Sequence, residues 1–142
     1  MSAFGRRRML GLGLAFLVTA ACEKLDTPSD PVWGKEPCAH CRMLVSERRF
    51  AAQAVANGER RYFDDIGCLV LWSAEHRTDK AWVRDAEGNR WLEAASARYA
   101  SGARTPMDFG FEGRAPETEG TLGFQEMRAT VLARANGTRS ER

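Results

Sequence analysis

The chain lacks an apolar run long enough to cross a bilayer. Its most apolar stretch, Met9 to Ala21, would make only about 20 Å of helix against a hydrocarbon core of ~30 Å. It also has little net charge, a formal +2 over 142 residues. The first 21 residues hold Arg6, Arg7, Arg8 and no acid; without them, 18 Lys and Arg face 19 Asp and Glu, a net charge of −1. No basic footprint remains, so nucleic acid is not an expected partner. A nucleophile elbow, a phosphate-binding glycine loop and a paired-carboxylate signature are all missing, and the expectation is a binding protein rather than an enzyme. Asp64-Asp65 is the nearest thing to a catalytic pair. Placed just before a helical apolar pattern, it is accounted for by N-capping and the helix dipole.

What is present begins with an export signal. Three arginines and the short apolar run after them read as a signal peptide over residues 1–21. The run ends Val18-Thr19-Ala20-Ala21-Cys22. Small residues before a cysteine suit a lipoprotein signal peptidase, so Cys22 is the expected lipidation site and the protein is expected to be anchored to a membrane in the cell envelope, facing the periplasm. Residues 22–37 are polar and punctuated by Pro28, Pro31 and Pro37, and read as a flexible tether.

Folding is expected over 38–135, in two lobes of about 38–78 and 79–135. In the first, Phe50 to Ala56 and Arg60 to Phe63 flank Asn57-Gly58, the strongest short hairpin signal, since both central turn residues need positive φ. Ile66, Leu69, Val70 and Ser73 follow at helical spacing, ending near Arg77. In the second, Ala81 to Asp85 and Arg90 to Ala94 flank Glu87-Gly88-Asn89, and Ala97 to Ala100 offers a further short strand. Residues 102–120 are rich in Gly and Pro, and a helix is expected from about Leu122 to Ala135 with Phe124, Met127 and Val131 on one face. The pattern predicts an α+β fold of two small related strand-strand-helix lobes packed together, with a disordered tail over 136–142.

The chemistry concentrates in Cys38-Ala39-His40-Cys41-Arg42-Met43. If Cys22 carries lipid, Cys38, Cys41 and Cys68 remain, an odd number that cannot all pair within the chain. Soft sulfur donors select Cu(I) over hard cations, and an incomplete shell lets an acceptor displace donors one at a time. Haem attachment would need His at position 42, where Arg42 stands. Structural zinc has four potential ligands in Cys38, His40, Cys41 and Cys68, although His40 lies inside the short loop, where its ring would tend to point away. A thioredoxin-like disulfide exchanger uses the same Cys-x-x-Cys spacing but needs a strand leading into it, and here the loop Gly34-Lys35-Glu36-Pro37 precedes it. A disulfide staple between Cys38 and Cys41 is the plainest reading. Cys68 by itself reads as a small buried side chain, and His76 as a solvated cation at a helix C-terminus. Met107, in Thr105-Pro106-Met107 on a stiffened loop, is a distant sulfur candidate, and Asp108 to Glu112 after it a candidate docking surface.

Taken in order, the boundary at Cys22, Cys38-x-x-Cys41-x-Met43, Tyr62-Phe63-Asp64-Asp65-Ile66-Gly67-Cys68 and Thr105-Pro106-Met107 resemble the NosL family of copper-chaperone lipoproteins. Trp82-Val83-Arg84-Asp85 and Trp91-Leu92-Glu93-Ala94 add a further trace. The resemblance implies an α+β fold of two related lobes and Cu(I) binding outside the inner membrane. It also implies delivery through a membrane ABC-type complex toward the copper sites of nitrous oxide reductase. Carried over by motif, Cys38, Cys41, Met43 and Met107 are the implied metal residues. The family usually has Gly where this chain has Arg42.

Overall fold

The computed structural model describes residues 24–140. The expected signal peptide and the lipidation site Cys22 lie outside the described residues. No helix among the described residues is long and apolar enough to cross a membrane.

Among the described residues the fold is α+β, with two antiparallel sheets and two α-helices. Strands β1 (Ala52–Ala56) and β2 (Glu59–Phe63) form the hairpin expected at Asn57-Gly58. Both turn residues have positive φ, 52° and 73°. Helix α1 (Ile66–Glu75) follows, then β3 (Lys80–Arg84) and β4 (Trp91–Glu93). These four strands make one sheet in the order β2-β1-β3-β4. The two halves are therefore joined through the β1–β3 ladder, in which Ala52 faces Val83 and Gln53 faces Trp82. Strand β1 is buried along its whole length; this suits Ala52, Ala54, Val55 and Ala56, while buried Gln53 needs hydrogen-bond partners.

The Gly/Pro-rich region holds a strand that periodicity did not mark. Strands β5 (Arg98–Ser101) and β6 (Phe111–Arg114) form a second, two-stranded sheet. Gly113 lets β6 lie close against β3, since a Cβ there would sit 2.4 Å from the Arg84 carbonyl oxygen. Phe111 and Glu112 are buried in this strand, so these two residues of the expected docking surface are committed to the interior. Helix α2 (Phe124–Ser140) buries Met127 and Val131. It runs past Ala135, so residues 136–140 of the expected tail are helical.

Residues 24–37, read as a tether, are laid along the sheet. The Ser29 N–H donates to Gln53 Oε1 at 3.1 Å and Gln53 Nε2 donates back to Ser29 O at 3.0 Å. Arg60 Nη2 donates to the carbonyls of Lys24 and Thr27. Asp30 accepts from Trp91 Nε1 at 2.8 Å and pairs with Arg84 at 3.1 Å. Single polar residues answering groups on a distant sheet leave no periodic trace in the segment that carries them.

Candidate metal centre

The Cys-x-x-Cys segment is a tight loop. Pro37 and Leu44 bridge its base, and the Cys38 N–H donates to Met43 O at 2.7 Å. Inside it, the Arg42 N–H donates to Cys38 O at 3.1 Å, and the Cys41 N–H points at Cys38 Sγ from 3.5 Å. Closing the loop requires Arg42 at φ 70°, the left-handed region that a residue with a Cβ enters at a cost of about 1–2 kcal/mol. This is a physical reason for glycine to be preferred at such a position.

The loop docks on the sheet through the Ala39 N–H, which donates to Tyr62 O at 2.9 Å. That places both thiols at the end of β2, where Asp64, Asp65 and α1 follow. The two aspartates then do different things. Asp65 is the N-cap of α1, accepting from the Gly67 N–H at 2.8 Å, and its other oxygen accepts from the Met107 N–H at 2.9 Å. The second bond ties the loop bearing Met107 to the start of α1. Gly67 lets that loop close, because a Cβ there would lie 2.1 Å from the Phe109 ring. Asp64 faces the thiols instead. Cys41 Sγ donates to Asp64 Oδ1 at 3.1 Å, while Oδ2, also buried, has no hydrogen-bond partner among the described residues.

Cys68, in the first turn of α1, completes the group. One ligand atom each from Cys38, Cys41, Asp64 and Cys68 lies within 4.8 Å of every other, and together they can hold a metal ion. A tetrahedral ion with metal–sulfur bonds of about 2.3 Å would set sulfurs roughly 3.8 Å apart. The span therefore contracts by only about 1 Å to close on one. The donor set fits a thiophilic cation, and the unmatched Oδ2 gives the site an acceptor awaiting a positive partner.

The thiols are free and differ from one another. A hydrogen bond from Cys68 brings the Cys38 thiol down to about 6, against burial that would raise it; the backbone N–H groups of Cys41 and Asp64 assist. Burial pushes the Cys41 thiol up to about 12, with Asp64 and Cys38 adding to the rise. Cys68 is driven upward by its role as donor to Cys38, and by burial. Cys68 thus donates toward Cys38, while Cys41 donates to Asp64.

Of the residues implied by sequence, Cys38 and Cys41 belong to this cluster. Met43 and Met107 lie at the surface beside it, 49% and 37% exposed. Met43 lines a cleft of about 420 Å³ in which Asp64, Phe50, Thr105 and Pro106 also take part, and Met107 follows Pro106. His40 is exposed and lines a separate groove with Leu71 and Leu132. His76 caps α1, its Nδ1 2.8 Å from Trp72 O and its ring stacked on Trp72 at 4.2 Å. Sequence reasoning assigned Asp64 to capping and read Cys68 as core. The odd number of thiols was the signal that pointed beyond the loop. No protein-family model matches the chain, and no curated protein matches it.

Proposed function

We propose that this protein is a membrane-anchored copper chaperone. It binds Cu(I) as cargo and delivers it, through a membrane ABC-type complex, for maturation of the copper sites of nitrous oxide reductase. The observation that carries the reading is the convergence of Cys38, Cys41 and Cys68 with Asp64. Three soft sulfurs suit Cu(I), and a single hard oxygen beside them leaves the shell easy to open. Met43 and Met107, exposed at the edge of the same region, offer further soft donors on the side from which an acceptor would approach. The ordered motifs that resemble those of the NosL family support the choice of client, and the cysteine at position 22 is the proposed lipid anchor.

A disulfide oxidoreductase is the second reading, favoured by the lowered Cys38 thiol. Against it stands accessibility. Cys38 is fully buried, while the more exposed Cys41 is the thiol pushed upward. An exchange enzyme needs its activated sulfur where a substrate disulfide can reach it.

Anaerobic Cu(I) titration against a competing chelator tests the proposal. Wild type is expected to hold Cu(I), and Cys68→Ser to lose on the order of 100-fold in affinity. Loss of Cu(I) to the chelator with retention of zinc would turn the cluster into a structural zinc site. Catalytic reduction of insulin by the purified protein would favour the exchange enzyme.

A further inference from the structure

We infer that Asp64 is the ligand at which the metal is exchanged, and that the cleft it lines is the path by which an incoming soft donor arrives. The inference rests on the delivery reading and adds to it a door and a direction. Cys38 and Cys68 are fully buried, and Cys41, although partly exposed, is not among the residues lining the cleft beside Met43. Asp64 is the one member of the donor set that also lines the cleft beside Met43 and Pro106. It is 2% exposed and one of its oxygens is unmatched, so it forms a floor rather than a solvated rim.

Ligand chemistry gives the order of events. A carboxylate oxygen is the hardest donor in the set and holds a soft cation least firmly. A thioether, or a thiol that gives up its proton to water, enters through the cleft and forms its metal–sulfur bond as the bond to Asp64 breaks. The sulfurs of Cys41, Cys38 and Cys68 are then displaced, and each that returns to its thiol form takes a proton from water. The metal keeps its oxidation state throughout, and no oxidant or reductant is needed. The cleft selects the incoming group. Met43, Leu44, Phe50 and Pro106 give it apolar walls, and Glu47 and Arg104 place one charge of each sign at it. An uncharged methionine side chain on an extended segment fits that lining better than a carboxylate, which would have to be desolvated there.

The test uses Cu(I)-loaded protein and a synthetic methionine-rich peptide as acceptor, with equilibrium affinity and transfer rate both measured. Asp64→Cys replaces the hard donor by a soft one and is expected to keep or raise affinity while slowing transfer at least about tenfold. Asp64→Asn is expected to lower affinity less than Cys68→Ser does. Ser46→Trp, at an exposed position lining the cleft, is expected to slow transfer with affinity unchanged. Transfer at the wild-type rate by both Asp64→Cys and Ser46→Trp would overturn the inference while leaving delivery intact. An affinity loss in Asp64→Asn as large as in Cys68→Ser would overturn it too. Failure of the wild type to bind Cu(I) would overturn the delivery reading, and the inference with it.

Discussion

Arg84 and Asp64 are both charged-type side chains taken almost wholly out of water, 5% and 2% exposed, and their surroundings are opposite in kind. Arg84 is met by groups that the chain itself supplies. Asp30 takes Nη1 at 3.1 Å, the Asn89 carbonyl takes Nη2 at 2.9 Å, and the rings of Trp33 and Trp91 lie 5.8 and 5.0 Å from the guanidinium carbon. Asp64 is met by three thiols, and one of its oxygens is left unmatched. Burying a charge is tolerated when opposite charge, hydrogen bonds and polarisable rings replace water. The first centre meets that condition from the polypeptide for both Nη atoms, although Arg84 Nε is left without a hydrogen-bond partner among the described residues, and it holds the N-terminal segment on the sheet. In the second, three sulfurs and a carboxylate converge on one another, an arrangement that can hold a cation.

The sharpest way to break this comparison is to remove Arg84. Arg84→Ala strips a buried partner from Asp30, Asn89 and two tryptophans, and should cost about 2–3 kcal/mol of unfolding free energy, discounted because Asp30 is half-exposed. Chemical denaturation measures the loss, and Cu(I) affinity should not change. A fall in affinity would show that the two centres are coupled through β1 and β3.

A smaller effect is expected next to Arg84, at Asp85. Burial alone would raise its carboxyl, but the backbone N–H groups of Gly88 and Glu87, with Arg90 at 3.2 Å, outweigh it and hold it below the usual carboxylate range. A lowered folded pKa means that the stabilisation is complete above the unfolded value of about 3.9 and fades as pH falls through the folded one. Asp85→Asn should therefore cost about 1–2 kcal/mol near neutral pH. The gap from wild type should narrow as the medium is acidified below about pH 4. A gap independent of pH would assign the loss to packing instead.

The smallest effect belongs to the loop of Cys38 to Met43. Arg42→Gly relieves a left-handed residue but gives the unfolded chain more freedom, so the net gain should be under about 1 kcal/mol in thermal melts of the metal-free protein. A loss of stability would mean that the Arg42 side chain contributes through the polar cavity it lines with Glu59 and His76.

Much of the fold was legible because it is written in local chemistry. Asn57-Gly58 announced its hairpin, Asp65 its helix, and the apolar pairs around Glu87-Gly88-Asn89 the second hairpin. What escaped had no local period. Strand β6 hides among glycines, one of which is there to let backbone approach backbone. The segment over 24–37 is held by isolated polar contacts, and α2 continues past Ala135 through residues with no apolar stripe.

The candidate site divides along the same line. The sequence by itself determined that Cys38 and Cys41 share a tight loop, that a third thiol stands apart and that a capping aspartate opens α1, because each depends on residues within one turn of the chain. Only the tertiary structure decided that Asp64 and Cys68 belong with the loop. Cys41 and Asp64 are 23 positions apart, and they meet because the Ala39 N–H docks on the end of β2. It also decided which neighbouring aspartate caps and which faces the sulfurs, since adjacent residues at the end of a strand point to opposite sides and the packing beneath selects between them.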